Sequence, residues 1–288
     1  MLGSNFIPLI INNTKKYNFF TTSNTPIGNY NIDHKIHDLT KSNFDELLNW
    51  CKPEIIIHCA ANTNLENCEK DIDNALKINA NPLKYFSKSK FVKRIIYIST
   101  DSVYGKIIGQ ASESSKTIPI NNYGKTKLCG EEYLINSNKK FTVLRATPVG
   151  FNLLKKNNPH FVQWMLQKAS KKQKIKLYQN VIFSPISCNF LIQEIFHCIK
   201  HKIDGIFNIT GEFSFSKYDF GKILINLFEF DEELIEKSNY VSCTDTKRSL
   251  NQTLNSNKYF SENLRQPETL DQLKLSLFKA HKTILKIN

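Results

Sequence analysis

The sequence has no apolar run approaching the roughly 20 residues that a helix needs to cross a bilayer. The stretch Met1 to Lys16 places no basic segment ahead of its apolar residues, as a signal peptide would require. A cytoplasmic protein without membrane contact is therefore the expectation. Paired cysteine motifs are missing as well. The seven cysteines (Cys51, Cys59, Cys68, Cys129, Cys188, Cys198 and Cys243) are odd in number and scattered, with no CxxC. Neither a metal site nor a disulfide framework is expected, and the thiols suit a reducing compartment. Arginine is scarce too: of 39 lysines and arginines only Arg94, Arg145, Arg248 and Arg265 are arginine. The net charge of +13 thus comes from lysines spread along the chain, which read as a solvated surface rather than a nucleic-acid face. Abundant lysine, asparagine and isoleucine fit an AT-rich coding sequence, and the positive charge favours anionic small molecules.

What is present is an alternation of short apolar runs with helical patterns. Asn18–Thr22, Glu54–Cys59, Arg94–Ser99 and Phe141–Arg145 read as buried strands. Asn43–Cys51, Asp71–Lys88 and Tyr123–Asn136 read as helices between them. The pattern predicts an α/β fold with a doubly wound parallel sheet and right-handed connections. Beyond Arg145 it loosens: helices are expected over Pro159–Ser170, Asn189–His201, Ser216–Phe230 and Glu268–Ile287, with strands at Lys174–Tyr178 and Gly205–Thr210. The expected organisation is a dinucleotide-binding domain over residues 1–150. A small α/β substrate lobe follows over 151–288, with some of its segments returning to the first domain.

A dinucleotide-binding fold opens with a strand and a glycine-rich turn, and neither precedes Gly3. Met1-Leu-Gly-Ser4 resembles the end of a GxxGxLG fingerprint, and a helix from Ser4 to about Lys15 would lead into the strand at Asn18. The expectation is a Rossmann-like fold lacking its first strand and two glycines, roughly ten residues, with weak cofactor binding as a result.

Tyr123-Gly-Lys-Thr-Lys127 is a YxxxK motif, and four-residue spacing on a helix puts both side chains on one face. A neighbouring ammonium favours the phenolate, so a lowered tyrosine pKa and a working acid–base pair are expected. A second copy, Tyr218 to Lys222, has no strand-end hydroxyl before it and reads as ordinary helix. Ahead of Tyr123 stands Ser99-Thr100-Asp101-Ser102, at the carboxyl end of a predicted parallel strand, where open α/β sheets bind ligands. His58, in an apolar strand, reads as a core histidine.

The series Gly3, Asp38-Leu-Thr, His58-Cys-Ala-Ala61, Asn79, Ser99-Thr-Asp, Tyr123-xxx-Lys127 and Arg145 resembles the extended short-chain dehydrogenases. Within that superfamily the likeness runs to the dTDP-4-dehydrorhamnose reductases. Phe161-Val-Gln-Trp-Met-Leu, Phe183-Ser-Pro-Ile, Gly205 to Gly211 and Arg248-Ser-Leu-Asn-Gln-Thr-Leu resemble that group's later segments. The resemblance implies hydride transfer from NADPH or NADH to a keto-sugar nucleotide, in the synthesis of surface-polysaccharide precursors. It makes Thr100, Tyr123 and Lys127 the catalytic residues. Gly3, Asp38, Ala60, Ala61, Asn79 and Lys127 would hold cofactor; Asp101, Ser102, Arg145 and Arg248 would hold substrate. Arg145 and Asp38 also read, from their positions alone, as a structural arginine and an exposed loop aspartate. Thr21-Thr22-Ser23 does not decide between NADPH and NADH. Ser102 replaces the glutamate that a 4,6-dehydratase of this type carries, so dehydration is not expected. An epimerase and a non-catalytic nucleotide-sugar-binding or regulatory subunit stand as alternatives. A homodimer is a further expectation.

Overall fold

Ile95-Ile-Tyr-Ile98 is apolar at every position, a pattern that suits a strand with both faces covered. The computed structural model describes residues 1–12, 17–28, 30–41, 43–154, 159–241 and 246–287, and it buries all six residues of this strand inside a parallel sheet. Cys243 and the expected end of the first helix lie outside the described residues.

The chain begins with α1 (Leu2–Asn5) and α2 (Ile7–Asn12). The single helix expected from Ser4 is interrupted at Phe6, because Pro8 has no N–H to return to the preceding turn. Strands β1 (Phe20–Ser23) and β2 (Asp33–Ile36) follow, then α3 (Phe44–Cys51) and β3 (Ile55–His58). Next come α4 (Leu65–Lys70), α5 (Ile72–Asn79) and α6 (Asn81–Phe86). The helix expected over 71–88 is thus two, since Pro82 starts a new one. Strand β4 (Arg94–Ser99), α7 (Asn122–Ile135) and β5 (Lys140–Arg145) complete the first half.

The second half runs β6 (Thr147–Val149), α8 (Phe161–Ser170), β7 (Ile175–Tyr178), β8 (Ile182–Phe183) and β9 (Pro185–Ser187). It continues with α9 (Cys188–His201), β10 (Gly205–Asn208), β11 (Phe215–Ser216) and α10 (Lys217–Leu227). Strands β12 (Ile235–Ser238) and β13 (Asn251–Gln252) and helices α11 (Asn257–Glu262) and α12 (Leu270–Ile287) end the chain.

The main sheet has the order β10-β5-β4-β3 and is parallel throughout. Strands β1 and β2 form a parallel pair of their own, not hydrogen-bonded to β3. Alternation along β4 sends Ile96 and Ile98 to one face, where Leu2, Phe6, Leu191, Ile195 and Tyr259 cover them. Ile95 and Tyr97 point the other way, onto Phe44, Leu83, Phe86 and Leu134. Both faces are therefore covered by helices, as the strand–helix alternation predicts. Helix α9 and β10, from beyond residue 150, pack with the first half. A separate core of Phe151, Met165, Leu177, Phe183, Phe220 and Leu273 holds the remainder of the second half. Among the described residues, no helix is long and apolar enough to cross a membrane.

Candidate active site

Strand β4 ends at Ser99, and the chain turns at once into a short 3-10 segment, Asp101–Val103. The Thr100 hydroxyl caps that turn, accepting from the Ser102 N–H at 3.2 Å, and donates to Asp101 Oδ1 at 2.7 Å. Asp101 also accepts from the hydroxyls of Ser102 at 3.2 Å and Thr147 at 3.0 Å. Its buried carboxylate fixes the strand end.

Helix α7 approaches this turn closely. The Asn121 side chain caps it, accepting from the Gly124 N–H at 2.8 Å. Gly124 is where the approach is tightest: a Cβ there would lie 2.4 Å from the Ser102 carbonyl oxygen. Two turns further on, a Cβ on Gly130 would lie 2.6 Å from the Tyr97 hydroxyl. Two side-chain-free positions let the helix lie against β4 and its turn. Tyr123, in the first turn of α7, is thereby held beside the strand end that carries Thr100. Burial pushes the Tyr123 phenol well above its ordinary pKa; the Thr100 hydroxyl acts in the opposite direction. Part of the side chain stays open to solvent.

Lys127 corrects one expectation. Its ammonium donates to the Ile98 carbonyl at 2.7 Å and stands 4.0 Å from the centre of the Tyr97 ring. It is turned towards β4 and does not depress the pKa of Tyr123, which is raised. Burial lowers the pKa of Lys127 itself to about 7, with Glu131 pulling it back up. Glu131 is the residue that the motif search missed. Tyr123, Lys127 and Glu131 are spaced i, i+4 and i+8 on α7, so one stripe carries all three. The fully buried Glu131 carboxylate accepts from Ser99 and forms a two-pronged pair with Arg145, at 3.0 Å from Nε and 2.5 Å from Nη2.

That pair gives Arg145, expected at the substrate, a partner inside the protein. The guanidinium is 4% exposed, and its Nη1 donates to the Tyr104 hydroxyl at 2.7 Å. Burial opposes its charge, but the bonds to Glu131 outweigh this and hold its pKa above the usual arginine value. An arginine so engaged has its donors committed to protein and ties β5 to α7.

With this geometry established, similarity to known proteins becomes informative. Residues 20–277 match the family model of the RmlD substrate binding domain. The chain belongs to that family. It is 28% identical over 177 residues to the spore coat polysaccharide biosynthesis protein SpsK of Bacillus subtilis, covering 60% of this chain and 61% of that one. It is 28% identical over 195 residues to dTDP-4-dehydrorhamnose reductase of Aggregatibacter actinomycetemcomitans, covering 65% and 63%. The chain thus spans less than two thirds of the length of these curated relatives. A solved dTDP-4-dehydrorhamnose reductase from Clostridium acetobutylicum is 25% identical, with a TM-score of 0.75 over 90% of this chain and 93% of that one.

The remaining expected site residues of this RmlD-family chain divide into two groups. Ala60 is exposed and Ala61 half-buried just past β3, beside the sheet's carboxyl edge. Asp38, past β2, is exposed; it accepts from the Thr40 N–H and hydroxyl at 2.9 and 2.8 Å, which lower its pKa. Ser102 is half-buried, and Arg248 is exposed on a loop whose Lys247 carbonyl accepts from Asn121 at 3.0 Å. These four side chains and Arg248 remain reachable. Asn79 does not: it is fully buried, exchanges bonds with the Asn62 backbone and donates to the Thr126 hydroxyl at 2.9 Å. It braces the loop after β3 against α7. At Gly3, in α1, a Cβ would meet no atom within 4 Å. His58 stacks near Tyr97 and Phe86, and burial, then the charge of Lys127, lowers its pKa to about 3. Tyr218 lies at the start of α10, 5.1 Å below Lys237, and Lys222 pairs with Glu232 at 3.4 Å. That second motif is structural.

Proposed function

We propose that the chain is an NAD(P)H-dependent reductase acting on a keto-sugar nucleotide for surface-polysaccharide precursors, with Thr100, Tyr123 and Lys127 at its reaction centre. The observation that carries this is the close packing of the first turn of α7, which bears Tyr123, against the turn at the carboxyl end of β4, which bears Thr100. A substrate carbonyl seated against the phenol would accept its hydrogen bond, and Tyr123 would give its proton to the developing alkoxide; Thr100 would add a second bond by turning its hydroxyl from Asp101. The lysine ammonium, 2.7 Å from the Ile98 carbonyl, would have to turn from there to meet a ribose or the phenol. Glu131 keeps positive charge favourable on it.

A nicotinamide fits the residues at this end of the sheet. Ala60 offers a small exposed side chain past β3 against which a flat ring would lie, and the loop behind it is braced by Asn79. Bound nicotinamide supplies the hydride. Asp38, exposed past β2, would meet the adenosine end. Ser102 leaves no carboxylate at the third position after β4, which favours simple reduction over loss of water.

Tyr123→Phe tests the proposal. Turnover of a dTDP-keto-sugar, followed by nicotinamide absorbance, should fall roughly 100- to 10,000-fold while cofactor affinity changes little. Undiminished turnover would reject Tyr123 as the acid. Product formed without net nicotinamide consumption would favour an epimerase instead.

A further inference from the structure

The lobe contains a small three-stranded sheet, β11-β8-β13, whose two outer strands place a cation each at the same end of β8. Strand β11 runs antiparallel to β8, pairing Ser216 with Ile182, so the next residue, Lys217, bonds through its N–H to the Val181 carbonyl. Strand β13 runs parallel, pairing Asn251 with Ile182, so Arg248 precedes the strand at that same end. The loop before Arg248 is fastened to the cap of α7 through Asn121, two residues from Tyr123.

Lys217 has unusual surroundings for a lysine. Its ammonium is 3.1 Å from the centre of the Phe183 ring and 5.4 Å from that of Phe161. Asp101 attracts it and Arg248 repels it, so it lies within electrostatic reach of both. The Asp101 carboxylate is already bonded to Thr100, Ser102 and Thr147. An ammonium is strongly hydrated, and two ring faces replace little of that hydration. If packing were the only requirement here, methionine or leucine would meet it better.

Resting on the reductase proposal above, we infer that Lys217 is a substrate-positioning residue. Its ammonium binds the phosphate nearest the sugar of a nucleoside-diphosphate sugar, between Arg248 and the strand end that carries Thr100. Asp101, the carboxylate that attracts it among the described residues, aligns the ammonium without neutralising it by a close pair.

The test is calorimetric titration of the full chain with dTDP and UDP, and with dTMP and UMP. The wild type should prefer the diphosphates. Lys217→Met should weaken diphosphate binding about ten- to hundred-fold, leave monophosphate binding within about two-fold, and erase most of the preference. Lys217→Arg should keep much of it. If Lys217→Met melts far below the wild type, Lys217→Gln provides the same comparison. An unchanged diphosphate preference in a folded Lys217→Met or Lys217→Gln chain overturns the inference and leaves the reductase proposal intact. A wild type that does not distinguish diphosphates from monophosphates overturns both.

Discussion

The β1–β2 pair and the β10-β5-β4-β3 sheet are both parallel, yet they differ in how they are held. Every residue of β4 is buried, and it has a hydrogen-bonded strand on each side. Along β1 the residues alternate between exposed and half-buried, and Phe20 is 41% exposed, resting edge-on against Trp50. Parallel strands depend on cover over both faces. The comparison teaches where precision resides. Thr100, Tyr123 and Lys127 hang from the well-covered sheet and the helix packed on it, whereas Asp38 hangs from the sparsely covered pair.

Five experiments can break or sharpen that contrast. The largest expected effect is the loss of turnover in Tyr123→Phe, with the fold unchanged. Glu131→Ala should come next, because it leaves Arg145 buried without its carboxylate; a loss of about 3–5 kcal/mol in a urea melt is expected. A near-wild-type midpoint would show that β5 and α7 do not need this tie. Gly124→Ala forces α7 away from the Ser102 carbonyl and should cost about 1–3 kcal/mol. It should also reduce turnover more than cofactor affinity, since it separates Tyr123 from Thr100. Equal loss of both would contradict the close approach as the reason for glycine.

The fourth experiment concerns pH. His58 is held neutral when folded, with a pKa of about 3 against 6.5 unfolded. A lowered folded value means its stabilisation is complete above pH 6.5 and is lost as the pH falls towards 3. Replacing His58 by Phe should flatten this acid limb of the melting profile; an unaltered limb would assign it to other groups. Smallest in energy is the fifth: amide exchange at Phe20–Ser23 should run roughly 100-fold or more ahead of that at Ile95–Ile98. Equal protection would abolish the contrast between the two sheets.

Much of the main sheet was legible because continuous apolar runs such as Ile95–Ile98 have few other uses. The break at Phe6 and the division at Ala80 both trace to prolines inside an otherwise helical pattern. The short strands of the lobe, such as β8 and β13, were not legible: at two residues they have no periodicity to read, and they exist through their partners. Thr100, Tyr123 and Lys127 could be found from a motif and a strand end. Glu131 lay on the same stripe, four residues past Lys127, and extending the spacing by one step would have found it. The buried partners of Arg145 and Asn79 were not legible, because a strand-end arginine and a helix asparagine look alike whether they face a ligand or a buried partner.

Local chemistry in the sequence was enough to set the alternation of strands and helices, the hydroxyl at the end of β4 and the tyrosine–lysine spacing on α7, since each depends on residues close together in the chain. Only the folded arrangement decided that Lys127 turns to the Ile98 carbonyl, that Arg145 pairs with Glu131, and that Lys217 stands near Asp101 and Arg248. Those contacts join residues from 14 to more than 100 positions apart, and the direction of a charged side chain is set by which partners packing brings within reach.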